Sequence, residues 1–172
     1  QTLFEAASAR LRSGDAPGAE ALIEKAILWR DTNQVFQPAS LLHGFAQVQI
    51  EVRRTNEALA TLSRAMQWMA TNRPAEAHLM FSIDLRDIAH SQARLGRQDE
   101  AMRTADLIPD AEQRLTARYY VAQSYAEAGR ADDAVRTVRT SLAADAPASE
   151  RNPFALYAAV EAAAALAESG RR

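Results

Sequence analysis

The chain has 172 residues, a formal net charge of −2 and no cysteine. The near-neutral charge gives no electrostatic reason to expect a nucleic-acid partner, and the absence of cysteine excludes disulfides and thiolate metal sites. Hydrophobic residues make up 48% of the chain and aromatic residues only 6%, and no apolar run reaches the roughly 20 residues that a membrane-spanning helix needs. Because alanine supplies much of the hydrophobic fraction, this composition favours packed helices over a β-sheet.

A nine-residue segment recurs along the chain. Ala93–Ala101 reads ARLGRQDEA and Ala126–Ala134 reads AEAGRADDA, with weaker copies at Leu11–Ala19 and Ile50–Ala58. The last residues of the chain begin the same segment again. Repetition on this scale is typical of a stacked array, in which a single unit cannot bury its apolar face alone.

One turn residue in each repeat sets the register of the repeats. These residues are Gly14, Arg53, Gly96, Gly129 and Gly170. An alanine stands seven residues before every turn and five residues after every turn that continues; these alanines are Ala7, Ala46, Ala89, Ala122, Ala163, Ala19, Ala58, Ala101 and Ala134. Glycine at the turn suits a helix C-cap with positive φ. The alanines predict sites where two helices approach so closely that a larger side chain would overpack.

Apolar residues at helical spacing on both sides of each turn predict helix–turn–helix repeats throughout the chain. In chain order the predicted helices are 2–13, 16–31, 38–53, 55–71, 74–95, 98–107, 111–128, 131–144 and 152–169. They form a single repeat domain with repeats at about 1–32, 33–72, 73–109, 110–146 and an incomplete 147–172. All six prolines fall at predicted helix boundaries, whereas Gly18 and Gly44 have no role in this scheme.

The spacing resembles the tetratricopeptide repeat, or TPR. The first-helix pattern reads Leu85-x2-Ile88-Ala89-x2-Gln92 and Arg118-x2-Val121-Ala122-x2-Tyr125, and the second-helix pattern reads Ala58-x3-Leu62 and Ala134-x3-Val138. The first-helix tryptophan of the family is absent everywhere, and its tyrosine is present only as Tyr125. The resemblance implies an all-α, right-handed α-solenoid of antiparallel helix–turn–helix repeats. It also implies a non-catalytic scaffold that binds a protein or peptide segment on its concave face.

The sequence contains few residues arranged for catalysis or metal binding. Asp84, Asp87 and His90 stand at i, i+3 and i+6, which is a conceivable metal-ligand set, but this ladder drifts around the helix axis, so a solvated helix face is the favoured interpretation. There is no Gly-x-Ser-x-Gly motif and no glycine-rich phosphate loop. We therefore predict no enzymatic activity, no catalytic residue, no metal and no cofactor.

The family register implies a partner-binding surface on the first helix of each repeat, centred on the third and fourth repeats. Its predicted residues are His43, Gln47, Arg86, His90, Arg94, Tyr119, Tyr120 and Gln123. At least one of Arg86 and Tyr119 is expected to be more than half exposed, because arginine and tyrosine are frequent interface anchors. Arg86 and Arg94 are candidates for holding an acidic side chain. The Lys/Asn clamp that some family members use for a free C-terminus is not reproduced.

A second hypothesis is structural: the array is a self-associating spacer or an assembly domain of a larger bacterial protein. The predicted last helix has little polar face beyond Glu161 and Glu168, so it is expected either to continue into further repeats, which is favoured, or to dock against another copy. Because the chain starts at Gln1, a removed signal peptide and an upstream domain are both considered. The compartment stays open between bacterial cytoplasm and periplasm.

Overall fold

The computed structural model describes residues 2–33, 38–72 and 79–144. Within them it contains eight α-helices and no β-strand. The helices are α1 (Leu3–Arg12), α2 (Ala16–Asn33), α3 (Pro38–Glu51), α4 (Thr55–Thr71), α5 (Leu79–Arg94), α6 (Gln98–Asp106), α7 (Ala111–Glu127) and α8 (Ala131–Ala144). The all-α class is confirmed. The predicted helix at 152–169 and the incomplete repeat lie outside the described residues, and the right-handed superhelix stays a prediction.

The chain divides into two compact units, an N-terminal unit at Gln1–Arg73 and a C-terminal unit at Pro74–Arg172. In the N-terminal unit α1 packs against α2, α3 packs against α4, and α3 also contacts both α1 and α2. In the C-terminal unit α5 packs against α6, α7 packs against α8, and α7 also contacts both α5 and α6. Within residues 2–33, 38–72 and 79–144, each unit therefore contains two helix pairs. The finer division into five repeats stays a prediction.

The four turns inside the helix pairs share one backbone conformation. The turn residues all have positive φ, at 91° for Gly14, 61° for Arg53, 75° for Gly96 and 75° for Gly129. At every turn the N–H of this residue donates to the carbonyl three residues back, and the next N–H donates to the carbonyl five residues back, over 2.8–3.0 Å. These paired bonds are the Schellman motif, which satisfies carbonyls at the end of the first helix. The turn register predicted from the sequence is confirmed at these four turns, and the fifth predicted turn residue, Gly170, lies outside the described residues.

Arg53 is the turn residue that is not glycine, so we expect replacement by glycine to stabilise the protein. The left-handed helical conformation destabilises an L-residue by roughly 1–2 kcal/mol, whereas glycine adopts it without this cost. We expect Arg53→Gly to raise the free energy of unfolding by about 0.5–1 kcal/mol in urea denaturation, once the greater chain entropy of glycine is included. Gly96→Ala is the reverse control and should lower it by a similar amount. A destabilised Arg53→Gly protein would contradict the prediction.

The repeated alanines are buried. All eight that fall in the described residues are at most 1% exposed, and the ninth, Ala163, lies outside them. Every described helix pair has one of these repeated alanines on each helix, for example Ala46 on α3 and Ala58 on α4. Their predicted burial is confirmed, and the close approach of the helices at these positions stays a prediction.

Close packing also explains Gly44, and a helix cap explains Gly18. A Cβ on Gly44 would lie 3.1 Å from the ring of Phe4, so its absence lets α1 approach α3. A Cβ on Gly18 would overlap the carboxylate of Asp15. That carboxylate accepts the Gly18 N–H at 3.0 Å and pairs with Arg10 at 3.3 Å, so it caps the start of α2.

A buried polar network ties α5 to α6. The Oε1 atom of Gln92 accepts the Thr104 hydroxyl at 2.8 Å, and its Nε2 atom donates to Glu100 at 3.1 Å. Gln49, Glu57 and Thr61 occupy the same positions relative to the turn between α3 and α4. There, however, the Oε1 atom of Gln49 is buried without a hydrogen-bond partner. The same residue types thus form a satisfied network in one helix pair and leave an unsatisfied oxygen in the other.

Candidate functional site

Two contacts between α5 and α7 bring part of the predicted site together. The rings of His90 and Tyr120 are stacked, with centroids 4.1 Å apart and an interplanar angle of 17°. One turn earlier on α5, the NH1 group of Arg86 donates to Oε1 of Gln113 at 2.7 Å. Arg86, His90, Gln113 and Tyr120 are all half-buried. We call these four residues and Asp87 the α5/α7 face.

The charge of Arg86 is paired within the face. Its Nε and NH2 groups both donate to Oδ1 of Asp87, at 2.8 and 2.6 Å. The Arg86 side chain is 26% exposed and that of Asp87 33%. The predicted exposure of more than half is therefore wrong for Arg86, because its guanidinium folds back onto the next carboxylate and across to α7.

Tyr119 does not belong to the surface. It is only 4% exposed and lies in the core cluster with Leu115, Val121 and Tyr125. The expectation that Tyr119 would be exposed is therefore also wrong. Successive residues on an α-helix point about 100° apart, so when Tyr119 turns into the core its neighbour Tyr120 lies at the surface. Tyr120 is only partly buried, and its ring contacts His90.

The other predicted residues are divided between the two compact units. His43 and Gln47 lie one turn apart on α3 in the N-terminal unit, where their Nε2 atoms are 3.0 Å apart. Arg94 and Gln123 are exposed in the C-terminal unit, and Gln123 donates to Glu127 at 3.1 Å. The structure therefore brings together Arg86, His90 and Tyr120 in one place, and His43 and Gln47 in another.

The Asp84, Asp87 and His90 ladder is not arranged as a metal site. Asp84 is buried, Asp87 holds Arg86, and His90 stacks on Tyr120. Across residues 2–33, 38–72 and 79–144 there is no group of three or more candidate metal ligands. In the same part of the chain, no helix is both long and apolar enough to cross a membrane.

Gln113 is the member of the face that sequence reasoning missed. It is the third residue of α7, and its backbone N–H donates to the side chain of the N-cap residue Asp110 at 2.9 Å. An acidic or hydroxyl residue followed three positions later by glutamine is typical of a capped helix start. That pattern explains the position of Gln113 but not its contact with Arg86, which depends on α5 lying alongside α7.

Tyr125, the residue that matches the family tyrosine, has a structural role near the turn. It is 5% exposed, its hydroxyl donates to Asp99 at 2.7 Å, and the guanidinium of Arg130 lies 4.4 Å from its ring centroid. Burial is the main reason that the pKa of Tyr125 is raised above its ordinary value, and the carboxylate of Asp99 adds to the effect. The hydroxyl therefore stays protonated and fastens α7 to the start of α6.

Comparison with known proteins defines the fold. No protein-family model and no curated protein matches the chain. It is similar to two crystal structures of a Podosopora anserina protein that is described as a kinesin light chain with nearly identical TPR-like repeats. The first of the two structures is of a point variant of that protein. The TM-scores are 0.59 and 0.58 at 19% and 18% identity, and the likeness covers 99% of this chain and 86% of each of those. The chain therefore has the all-α fold of TPR-like helical repeats.

Proposed function

We propose that the chain is a non-catalytic protein-interaction scaffold and that its α5/α7 face takes a peptide segment of the partner. The single observation that carries the proposal is the pair of contacts between α5 and α7, in which Arg86 bonds to Gln113 and His90 stacks on Tyr120. TPR-like repeats in general present extended surfaces of this kind to other proteins.

The physical character of the face supports binding. Its rings and its guanidinium are partly exposed, so a partner can reach them, and tyrosine and arginine are the residues most often found as interface hot spots. Both side chains are already held in place by contacts across the two helices. Less side-chain entropy is therefore lost when a partner binds, which favours affinity.

The proposal is tested with a random peptide library displayed on phage and selected on the full chain. The peptides recovered are then measured against a His90→Ala/Tyr120→Ala double variant. We expect binding to weaken at least about tenfold, which corresponds to about 1.4 kcal/mol, because both rings of the stack are removed. Circular dichroism melts verify that the variant is folded.

The matched control is an Arg103→Ala/Arg139→Ala double variant, which changes two exposed residues on the second helices α6 and α8. Its affinity for the selected peptides should not change. Peptides that bind the His90/Tyr120 variant as well as the original chain would overturn the placement of the site. A selection that recovers no peptide at all would favour the structural, self-associating alternative.

A further inference from the structure

We infer that the α5/α7 face recognises an uncharged amide group, the side chain of an asparagine or glutamine of the partner, in preference to a carboxylate. The inference rests on the proposed function and adds to it the chemistry of the partner. It replaces the expectation from sequence that Arg86 and Arg94 hold an acidic side chain.

The first argument is charge. Arg86 and Asp87 form an ion pair with two hydrogen bonds to a single oxygen, so together they carry no net charge. An incoming carboxylate would gain the attraction of Arg86 but would also meet the repulsion of Asp87 at a similar distance. A neutral amide brings no such penalty, and it loses less hydration than a carboxylate when it leaves water.

The second argument is the balance of donors and acceptors. A guanidinium has five N–H groups, and three of those on Arg86 are engaged by Asp87 and Gln113. Because arginine only donates, the oxygen of Gln113 must face it, which leaves the Nε2 group of Gln113 pointing elsewhere. The hydrogen bonds from Arg86 to Asp87 all go to Oδ1, so Oδ2 remains as an acceptor.

This combination fits a primary amide, which offers one oxygen to accept and two N–H groups to donate. The amide oxygen takes an N–H from Arg86 or Gln113, and the amide nitrogen donates to Oδ2 of Asp87. A carboxylate has no proton to give to Asp87, and an ammonium group has no lone pair for Arg86. Of these three side-chain groups, only the amide satisfies both sides of the face.

The experiment compares two probes of the same shape with the full chain labelled with nitrogen-15. The probes are the blocked tripeptides acetyl-Gly-Gln-Gly-N-methylamide and acetyl-Gly-Glu-Gly-N-methylamide at pH 7, in which the glutamine side chain is the only primary amide. The signals followed are the side-chain N–H groups of Arg86 and Gln113. We expect the glutamine peptide to produce half of its maximal chemical-shift change at a concentration about tenfold lower than the glutamate peptide needs. That ratio corresponds to one buried hydrogen bond left unmade by the glutamate peptide.

An Asp87→Asn variant sharpens the comparison. It removes the negative charge that neutralises Arg86 and leaves the size of the side chain unchanged, so the preference should reverse in favour of the glutamate peptide. The matched control is Asp132→Asn, an exposed acid in the first turn of α8, which should keep the original preference.

Each result bears on the inference separately from the proposed function. If the original chain prefers the glutamate peptide, treats both alike, or shows no shift of these signals with either, the amide preference is overturned. The proposed function has its own readout, since library peptides that lose affinity in the His90/Tyr120 variant support it whatever their charge. Library peptides that need the face but are not enriched in asparagine or glutamine would overturn the inference alone.

Discussion

Replacing Ala46 by leucine is expected to lower the free energy of unfolding of the N-terminal unit by about 1–3 kcal/mol, because extra methylenes in a close-packed contact force neighbouring side chains and backbone apart. Ala46 is fully buried on α3 at the position, seven residues before the turn, that is alanine in every repeat. Urea denaturation followed by circular dichroism measures the change.

The control for this substitution is Ala60→Leu on α4, the partner helix of α3. Ala60 is exposed, and leucine has nearly the same helix propensity as alanine, so this variant should unfold within about 0.5 kcal/mol of the original chain. If Ala46→Leu is tolerated as well as Ala60→Leu, the alanines do not mark close helix contacts.

Replacing Gln92 by leucine is expected to cost about 1–3 kcal/mol, although leucine fills a similar space and is more apolar. The substitution takes the acceptor away from the buried Thr104 hydroxyl and the donor away from Glu100. A buried polar group that loses its partner pays the full desolvation penalty, and this outweighs the gain from the added apolar surface.

Gln49 provides the opposite case at the same position of another helix pair. Its Oε1 atom is buried without a partner, so Gln49→Leu removes an unsatisfied oxygen and should leave stability unchanged or increase it. A double-mutant cycle between Gln92→Leu and Thr104→Val should show coupling of about 0.5–3 kcal/mol. Equal losses for the Gln92 and Gln49 variants would show that the two networks do not differ as described.

The backbone of the fold could be predicted from sequence because its requirements fall on single residues. A helix that ends with positive φ favours glycine, and the glycines at 14, 96 and 129 mark three of the four described turns. The fourth turn residue, Arg53, is not marked by glycine. It is located by Ala46 and Ala58, which stand at the same distances from it as the other repeated alanines do from their glycines. Close contact between helices demands a small residue, which is visible in sequence as well.

The surface could be predicted only to within a fraction of a helical turn. Tyr119 and Tyr120 are adjacent and chemically identical, but Tyr119 stands four residues after Leu115 and three before Ala122, which is the spacing of one helix face, and the family register did not use this signal. The rotation of the helix about its axis decides, and packing against the neighbouring helices fixes that rotation. The register taken from the family assigned both residues to the surface, and burial of Tyr119 corrects the first assignment.

The ion pair between Arg86 and Asp87 could not be predicted from the sequence either. Neighbouring residues on a helix do not normally face each other, so Asp87 was not expected to neutralise Arg86. The guanidinium reaches Asp87 because the long arginine side chain lies across the face towards Gln113 on the adjacent helix. The chemistry of the face therefore depends on a contact between α5 and α7, which are separated by an entire helix in the chain.

The division into two compact units has an optical consequence. Both tryptophans, Trp29 and Trp68, belong to the N-terminal unit, and the four tyrosines all belong to the C-terminal unit. Fluorescence excited selectively at tryptophan therefore reports on one unit, and the near-ultraviolet absorbance of tyrosine reports on the other after the tryptophan contribution is subtracted. A single denaturation experiment read at both chromophores distinguishes units that unfold together from units that unfold one after the other, without any added label.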